Sequence, residues 1–419
     1  MSAALFREYG SIPGQAKLLI YLSFIPNMVI GFIYSDLSYF LPKIQGLTPT
    51  NAGWVITAMG LTLVAESIPL GIVADRYGRR NMLFVGNICA SLSLIGFALT
   101  SNFALLLLVA VVEGTGEASF AVSVSALIAD HAGDQKRTVA FSLLAFLGWI
   151  ASGVGGFVIA TVASLQSVGV SVGRAHVLLY IAMGLINLAI TPFLFRVREG
   201  TSFNRLRRIL PRKSGRIIQR YLLYSILIAV GAGLFVPSMS YWFSAAYGVS
   251  DVVSVPVLGV TSLITAFVVF MSPRLAARFG LVRATVMTQA SSTIFMILIP
   301  SSPTFAIAAS IYVVRVLLMN LSNPLTQSLI MGLVAPDERG MASGITAALW
   351  RLPNALSTTA GLTLFAAGYL ALPFYIATVL YVAGITIFWF VFKDAKLPEE
   401  NPRQPPTQSS SLEGPEVER

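Results

Sequence analysis

Twelve separate stretches of this 419-residue chain are long and apolar enough to cross a bilayer, and that one feature leaves few folds open. About 20 mostly apolar residues suffice for a spanning helix. On that measure the spans fall near 17–42, 52–74, 82–100, 103–129, 139–164 and 176–196, then near 219–243, 252–272, 284–301, 304–331, 341–367 and 371–392. Short links join most of them, so consecutive helices run antiparallel. Composition agrees: only 11% of residues are charged and 56% are hydrophobic, whereas a soluble domain carries about 25% charged residues. The first residues, "MSAALFREYGSIPGQAK", are polar, and no cleavable leader is expected there.

One long polar segment divides the spans six and six. It holds nine Lys and Arg residues between Arg196 and Arg220. Basic residues mark the cytoplasmic side. With this linker in the cytoplasm, Arg76, Arg79, Arg80, Arg137, Arg278, Arg339 and Lys393 fall on the same side, and only Lys43 and Arg174 fall opposite. Both termini are then cytoplasmic, and a plasma-membrane location is expected. The expected division is a short N-terminal segment (1–16), a six-helix bundle (17–197), the basic linker (198–218), a second six-helix bundle (219–393) and a disordered tail (394–419). The linker lacks interleaved aromatics and a folded reader domain, so its charge points to solvent and lipid headgroups rather than nucleic acid.

The two halves repeat. "ADRYGRR" at Ala74–Arg80 aligns with "AARFGLV" at Ala276–Val282, and the same offset sets Arg137 against Arg339 and Glu113 against Arg315. Parallel repeats related by an axis along the membrane normal are a transporter plan, with the substrate site between them near mid-depth.

"GIVADRYGRR", Gly71–Arg80, matches in full the loop pattern G-x-x-x-D-[RK]-x-G-[RK]-[RK] of the major facilitator superfamily, between spans 2 and 3 where that family carries it. The chain thus resembles that family. The resemblance implies an all-α membrane protein of twelve transmembrane helices, in two pseudo-symmetric six-helix bundles around a central cavity. It also implies a gating role for Gly71, Asp75, Arg76, Gly78, Arg79 and Arg80, with Asp130 at the end of span 4 as a partner. In span 4, "GTGEASF" is similar to the G-x-G-E-A-S pattern of spinster-like and anion:cation symporter branches. Those branches use an acid of span 1 and the glutamate of this pattern in proton coupling, which here are Asp36 and Glu117. The chain departs from them at Ala110 and Leu37, where arginines are usual, so no substrate carries over.

Six charged residues lie within the spans: Asp36, Glu66, Glu113, Glu117, Arg315 and Arg351. Each costs at least about 2.5 kcal/mol at the bilayer centre unless it faces a cavity or a partner. In the family's fold helices 1, 4, 7 and 10 line the cavity, a set that includes Asp36, Glu113, Glu117 and Arg315. An acid taken out of water favours its protonated form, so Glu117 is expected to carry a proton with Asp36 as its coupled partner. A permanent structural hydrogen bond is the alternative for both. Glu113, one turn further out, suits coupling or a structural role equally. Arg315 is expected to anchor a polar or anionic substrate group. Glu66 and Arg351 suit either an opening-and-closing pair or static packing. Tyr241, beside the helix-breaking Pro237, and Asn323 and Gln327 of "NPLTQ" are candidate substrate contacts; interfacial aromatic anchoring is the other reading for Tyr241.

The function expected is secondary active transport of a small organic solute, with an anionic group, coupled to protons. Carboxylates and backbone carbonyls serve sodium too, so the ion stays open. The alternative is a polyspecific exporter of cationic or amphipathic compounds, since four intramembrane acids outnumber two arginines. Enzyme chemistry is not expected: there is no nucleophile–base pair, no phosphate loop of the G-x-x-x-x-G-K-[ST] kind, and, with one cysteine and two histidines, no metal cluster. No cofactor is expected, and the partners are a small-molecule substrate, protons and lipid, around a monomer.

Overall fold

A computed structural model describes residues 9–199, 215–268, 271–334 and 339–394. Most of the linker and tail, including 200–214 and 395–419, lie outside the described residues, and so does the disorder expected of the tail. The described chain is helical throughout. Its long helices are α1 (Gly14–Lys43), α2 (Pro49–Tyr77), α3 (Arg79–Leu99), α4 (Phe103–Gly133), α5 (Val139–Ser167) and α6 (Val172–Leu194), then α7 (Ile217–Tyr247), α8 (Asp251–Val268), α9 (Leu281–Leu298) and α10 (Phe305–Leu333). The last two are α11 (Arg339–Ala366) and α12 (Leu372–Phe392). Eleven of these are long and apolar enough to span a membrane on composition. The span expected at 341–367 forms as helix α11, but Arg351, Asn354 and a run of Ser and Thr leave it more polar than the rest.

Local chemistry sets the helix ends. Thr48 accepts a hydrogen bond from the Asn51 N–H with Pro49 in the first turn of α2, and Asn102 accepts from Ala104 and Leu105 N–H at the start of α4. These side chains satisfy donors that the first turn leaves open. Gly78 (φ 101°) separates α2 from α3, and its repeat partner Gly280 (φ 77°) precedes α9. Both conformations are open to glycine and strained for other residues. The sequence repeat therefore returns as matched backbone geometry.

Lipid offers no hydrophobic drive between helices, so close approach of small residues holds them. Gly86 of α3 abuts Gly116 and Phe120 of α4, and Gly31 of α1 abuts Ser152 of α5. Helices α1–α6 pack together, as do α7–α12, where α9 meets α10 and α7 meets both α11 and α12. Two seams join the groups. In one, Gly53 and Gly60 of α2 face Thr359 and Ala355 of α11; in the other, Gly153 and Gly156 of α5 face Leu263 and Gly259 of α8.

Depth along the seams is set by two ends: the linker end, where α6 leads toward α7, and the far end. Hydrogen bonds join the two groups at mid-depth and toward the far end. Far-end bonds include Ser38–Ser240 (2.8 Å), Thr57–Thr359 (2.8 Å), Thr57 to the Ala355 carbonyl (2.7 Å), Thr363–Thr50 (3.1 Å) and His176–Asp251 (2.5 Å). The far end is shut.

Candidate functional site

Between the two groups lies a cavity of about 480 Å³, with α1, α4, α7 and α10 all contributing to its wall. Two charged constellations meet it. On one wall is Glu117 of α4, which accepts a hydrogen bond from the Tyr34 hydroxyl of α1 at 2.8 Å. Its other oxygen accepts from Arg351 Nη1 of α11 at 3.4 Å. The glutamate is nearly buried, whereas the Arg351 side chain is 45% exposed. Glu117 thus ties α1 of one group to α11 of the other at mid-depth. A contact of that length between a half-exposed guanidinium and a carboxylate is weak and easily replaced by water.

The other constellation is Arg315. It is only 3% exposed, yet its guanidinium has no acidic partner among the described residues. Nη2 donates to the Tyr381 hydroxyl at 2.7 Å. The Phe235 and Tyr381 rings lie 4.9 and 5.4 Å from the guanidinium carbon. The Nε is buried with no hydrogen-bond partner. Aromatic faces offset part of the cost of burying a cation, but an unfilled buried donor remains costly. The sequence places Arg315 on α10, and α9 fixes its backbone through a bond from Ser292 to its carbonyl (3.0 Å).

The other expected residues divide. Asn323 lines the cavity and donates to Asn320 at 3.0 Å. Gln327 is exposed one turn further on and does not line it. Tyr241 does not line it either: α7 breaks into a 3-10 turn at Val236–Ser238, and beyond that break Tyr241 sits at the far end with Lys43 Nζ 5.7 Å from its ring centre. Glu113 is not in the cavity. It turns to α3, where the Ser93 hydroxyl donates to it. The expected Glu66–Arg351 pairing is not made: Arg351 meets Glu117, and Glu66 has no ion pair among the described residues. On α2 the seam-facing positions are Gly53, Thr57 and Gly60, three or four apart, and Glu66 falls off that face.

Asp36 is also away from Glu117. It is fully buried and accepts from the Tyr180 hydroxyl of α6 at 2.9 Å. Its carboxyl lies within hydrogen-bonding reach of the Asp251 carboxyl of α8. Asp251 in turn meets His176 Nε2 of α6 at 2.5 Å. Sequence reasoning named none of Tyr34, Tyr180, His176, Asp251 or Tyr381 as site residues. The polar singletons His176 and Asp251, each at a helix start, were the available signal.

At the linker end, Arg79 donates to Asp75 (2.9 Å) and to Asp130 (2.5 Å). Glu199 accepts from the Arg79 and Arg80 backbone N–H groups, capping α3. Arg76 is exposed and lies over the Tyr77 ring. Gly71 passes close to Val122. All of these contacts stay within the first helix group, and the loop pattern reaches no residue of the second group among those described.

Two helix groups enclosing a solute-sized chamber at membrane depth define a multi-pass membrane transporter. The chain belongs to the major facilitator superfamily, whose family model matches residues 19–358. Curated relatives match shorter pieces. The uncharacterized transporter YqjV of Bacillus subtilis strain 168 is 30% identical over 107 residues, 26% of each chain. The quinolone resistance protein NorA of Staphylococcus aureus strain Mu50 is 29% identical over 147 residues, 34% of this chain and 38% of NorA. The chain thus aligns with well under half the length of either relative. Among solved structures, the nucleoside transporter NupG has a TM-score of 0.72 at 12% identity, over 90% of this chain and 99% of that one. A bacterial homolog of the human lysosomal transporter Spinster, inward-facing and occupied, has 0.71 at 15%, over 90% and 96%. A D-xylose-proton symporter has 0.71 at 14%, over 89% and 97%. At those identities the likeness is one of fold.

Proposed function

We propose that this transporter moves a small organic solute bearing an anionic group by alternating access, with proton coupling through Glu117. One observation carries the reading: Arg315 is a buried, cavity-lining guanidinium with a donor unfilled and, among the described residues, no acid beside it. A carboxylate or phosphate arriving there would gain charge-assisted, fork-shaped hydrogen bonds and relieve that burial. Asn323 and Asn320 offer neutral polar contacts nearer the linker end. Tyr241 and Gln327 are not proposed as substrate contacts.

Glu117 supports the coupling half. As a carboxylate it holds Arg351 and the two groups together; once protonated it keeps its Tyr34 bond and loses the charge that attracts Arg351. Proton uptake at this one atom would loosen α4 from α11. Helices 17–197 and 219–393 are the two units proposed to rock, with Gly71–Arg80 and Asp130 as the linker-end gate. The linker and both termini are proposed to face the cytoplasm of a plasma membrane, so the state described here, shut at the far end, is inward-facing. A monomer suffices, since the cavity is complete within one chain.

The test is uptake into proteoliposomes under an imposed proton gradient, across a panel of organic anions. Uphill uptake lost in Glu117→Gln, with downhill exchange retained, supports the coupling. Unchanged uphill uptake removes Glu117 from it.

A second reading has its own support. Trp149, Trp350, Met59 and Met319 line the same cavity, a wall suited to amphipathic compounds, and NorA is a relative over part of the chain. On that reading the protein exports lipophilic cations and Glu117 is their contact. Stabilisation by such cations, lost in Glu117→Gln and kept in Arg315→Ala, would favour it.

A further inference from the structure

The far-end seam holds a second buried polar cluster that the cavity does not use. Its members come from both helix groups: Asp36 and Tyr39 of α1, His176 and Tyr180 of α6, and Asp251 of α8. Asp36, His176 and Asp251 are each at most 1% exposed. Asp36 Oδ1 is buried with no partner that can donate to it, although the Asp251 carboxyl is within hydrogen-bonding reach. Two bare carboxylates so placed repel, and neither has a hydrogen to offer the other.

The hydrogen-bond pattern counts the protons. His176 Nδ1 lies 2.8 Å from the Val172 carbonyl, which only accepts, so Nδ1 carries a hydrogen. The 2.5 Å contact between His176 Nε2 and Asp251 Oδ2 then needs one further proton, held by either atom. The Asp36–Asp251 contact needs another, because Tyr180 already spends its hydroxyl hydrogen on Asp36 Oδ2. With both in place the three groups sum to zero charge, the state a dry seam tolerates. With neither, two negative charges are buried together. No other charge compensates them among the described residues: Lys43 at this end lies over Tyr241, and Arg174, in the first turn of α6, is exposed. The neighbouring seam contact on α1 and α7 is a neutral Ser38–Ser240 bond.

We propose that Asp36, Asp251 and His176 form a second proton-binding site, distinct from Glu117, which takes up two protons as the far end closes and releases them to that side as it opens. Opening must separate Asp251 from Asp36 and His176, because they belong to different helix groups, and water then solvates each. Protons bound in the closed state and lost in the open one make closure stronger as pH falls. The span 1 acid therefore acts through the far seam, on its own protons. The proposal rests on the far end opening during the cycle and not on the charge of the substrate.

The experiment needs no substrate. In a Cys89→Ser background, spin labels at Val168→Cys and Tyr369→Cys report the far-end separation, since both positions are exposed far-end loops of opposite groups. Pulsed dipolar distances are taken in lipid between about pH 5 and about pH 9, a range that brackets the ordinary histidine value. The open-to-closed ratio is expected to rise with pH, by up to about 100-fold per unit for two protons and about tenfold per unit for one. Asp36→Asn and His176→Gln should each reduce the slope to the one-proton value, and Asp251→Asn should hold the far end shut across the range. If Asp251→Asn does not fold, the other two variants carry the same test. A wild-type ratio that does not change with pH overturns the proposal, as does an undiminished slope in both Asp36→Asn and His176→Gln, or a slope abolished by Glu117→Gln alone. Proton-driven uptake by the same labelled protein scores the transport reading separately.

Discussion

Glu113 and Arg315 occupy equivalent positions in the repeat, yet the molecule uses them in opposite ways. Glu113 turns into its own helix group and accepts the Ser93 hydroxyl, outside the cavity. Arg315 turns toward the cavity and is left among Phe235, Tyr381 and an unfilled donor site. Both are buried charges, and burial alone says nothing about which one meets a ligand. The difference is satisfaction. A charge with its bonds made inside the bundle is packing; a charge facing space with a donor unfilled waits for something to arrive. The two groups also differ in sign, since Glu66, Glu113 and Glu117 lie on α2 and α4 of the first, and both intramembrane arginines lie on α10 and α11 of the second.

The comparison breaks most sharply at Arg315 itself. Arg315→Ala is expected to weaken anion binding by roughly tenfold to hundredfold or more, the worth of a charge-assisted hydrogen bond or two. Arg315→Lys should recover part of that, because a point charge replaces the fork. Isothermal binding titrations on the three proteins check the order. Glu117→Gln comes next: the pH dependence of uptake should flatten, with the affinity for an anionic ligand within a few-fold of wild type.

The seam gives a third prediction. A Cβ at Gly156 would come 2.7 Å from Gly259 Cα, backbone rather than a flexible side chain. Gly156→Val should prop α5 from α8 at about 1–3 kcal/mol, the usual cost of overpacking, moving far-end distances toward the open state. The smallest effect belongs to Glu113→Gln. The amide can still accept from Ser93, so transport should stay within a few-fold of wild type and melting should shift little. A Glu113→Gln phenotype as deep as that of Arg315→Ala would collapse the contrast.

The fold was largely legible because membrane spans are written as long apolar runs, and the repeat was written in "ADRYGRR" and "AARFGLV". Only α11 reads poorly, since its Arg351, Asn354 and Ser/Thr run serve the seam and the cavity rather than lipid. The cavity residues were half legible. A lone arginine in span 10 is conspicuous, and Glu117 stands out in an apolar run, but which partner each finds depends on rotation about the helix axis. Gly53, Thr57 and Gly60 mark the seam face of α2, and extending their spacing would have excluded Glu66. On α11, Thr359, Ala355 and Arg351 recur every fourth residue, which would have put Arg351 on the seam. Asp36 finding Asp251 and His176 was not readable at all, because that contact spans over 200 positions and three helices, and a first-turn aspartate looks like an ordinary helix start.

The most direct measurement is a thermal-shift screen of purified wild type beside Arg315→Ala, against organic anions, sugars, lipophilic cations and lysolipids. A ligand at a hundred times its Kd adds about 2.7 kcal/mol of apparent stability, enough to move the melting transition visibly. The account predicts stabilisation by one class of anion in wild type and none in Arg315→Ala. Stabilisation by cations that is indifferent to Arg315→Ala would contradict it and hand the cavity to Glu117.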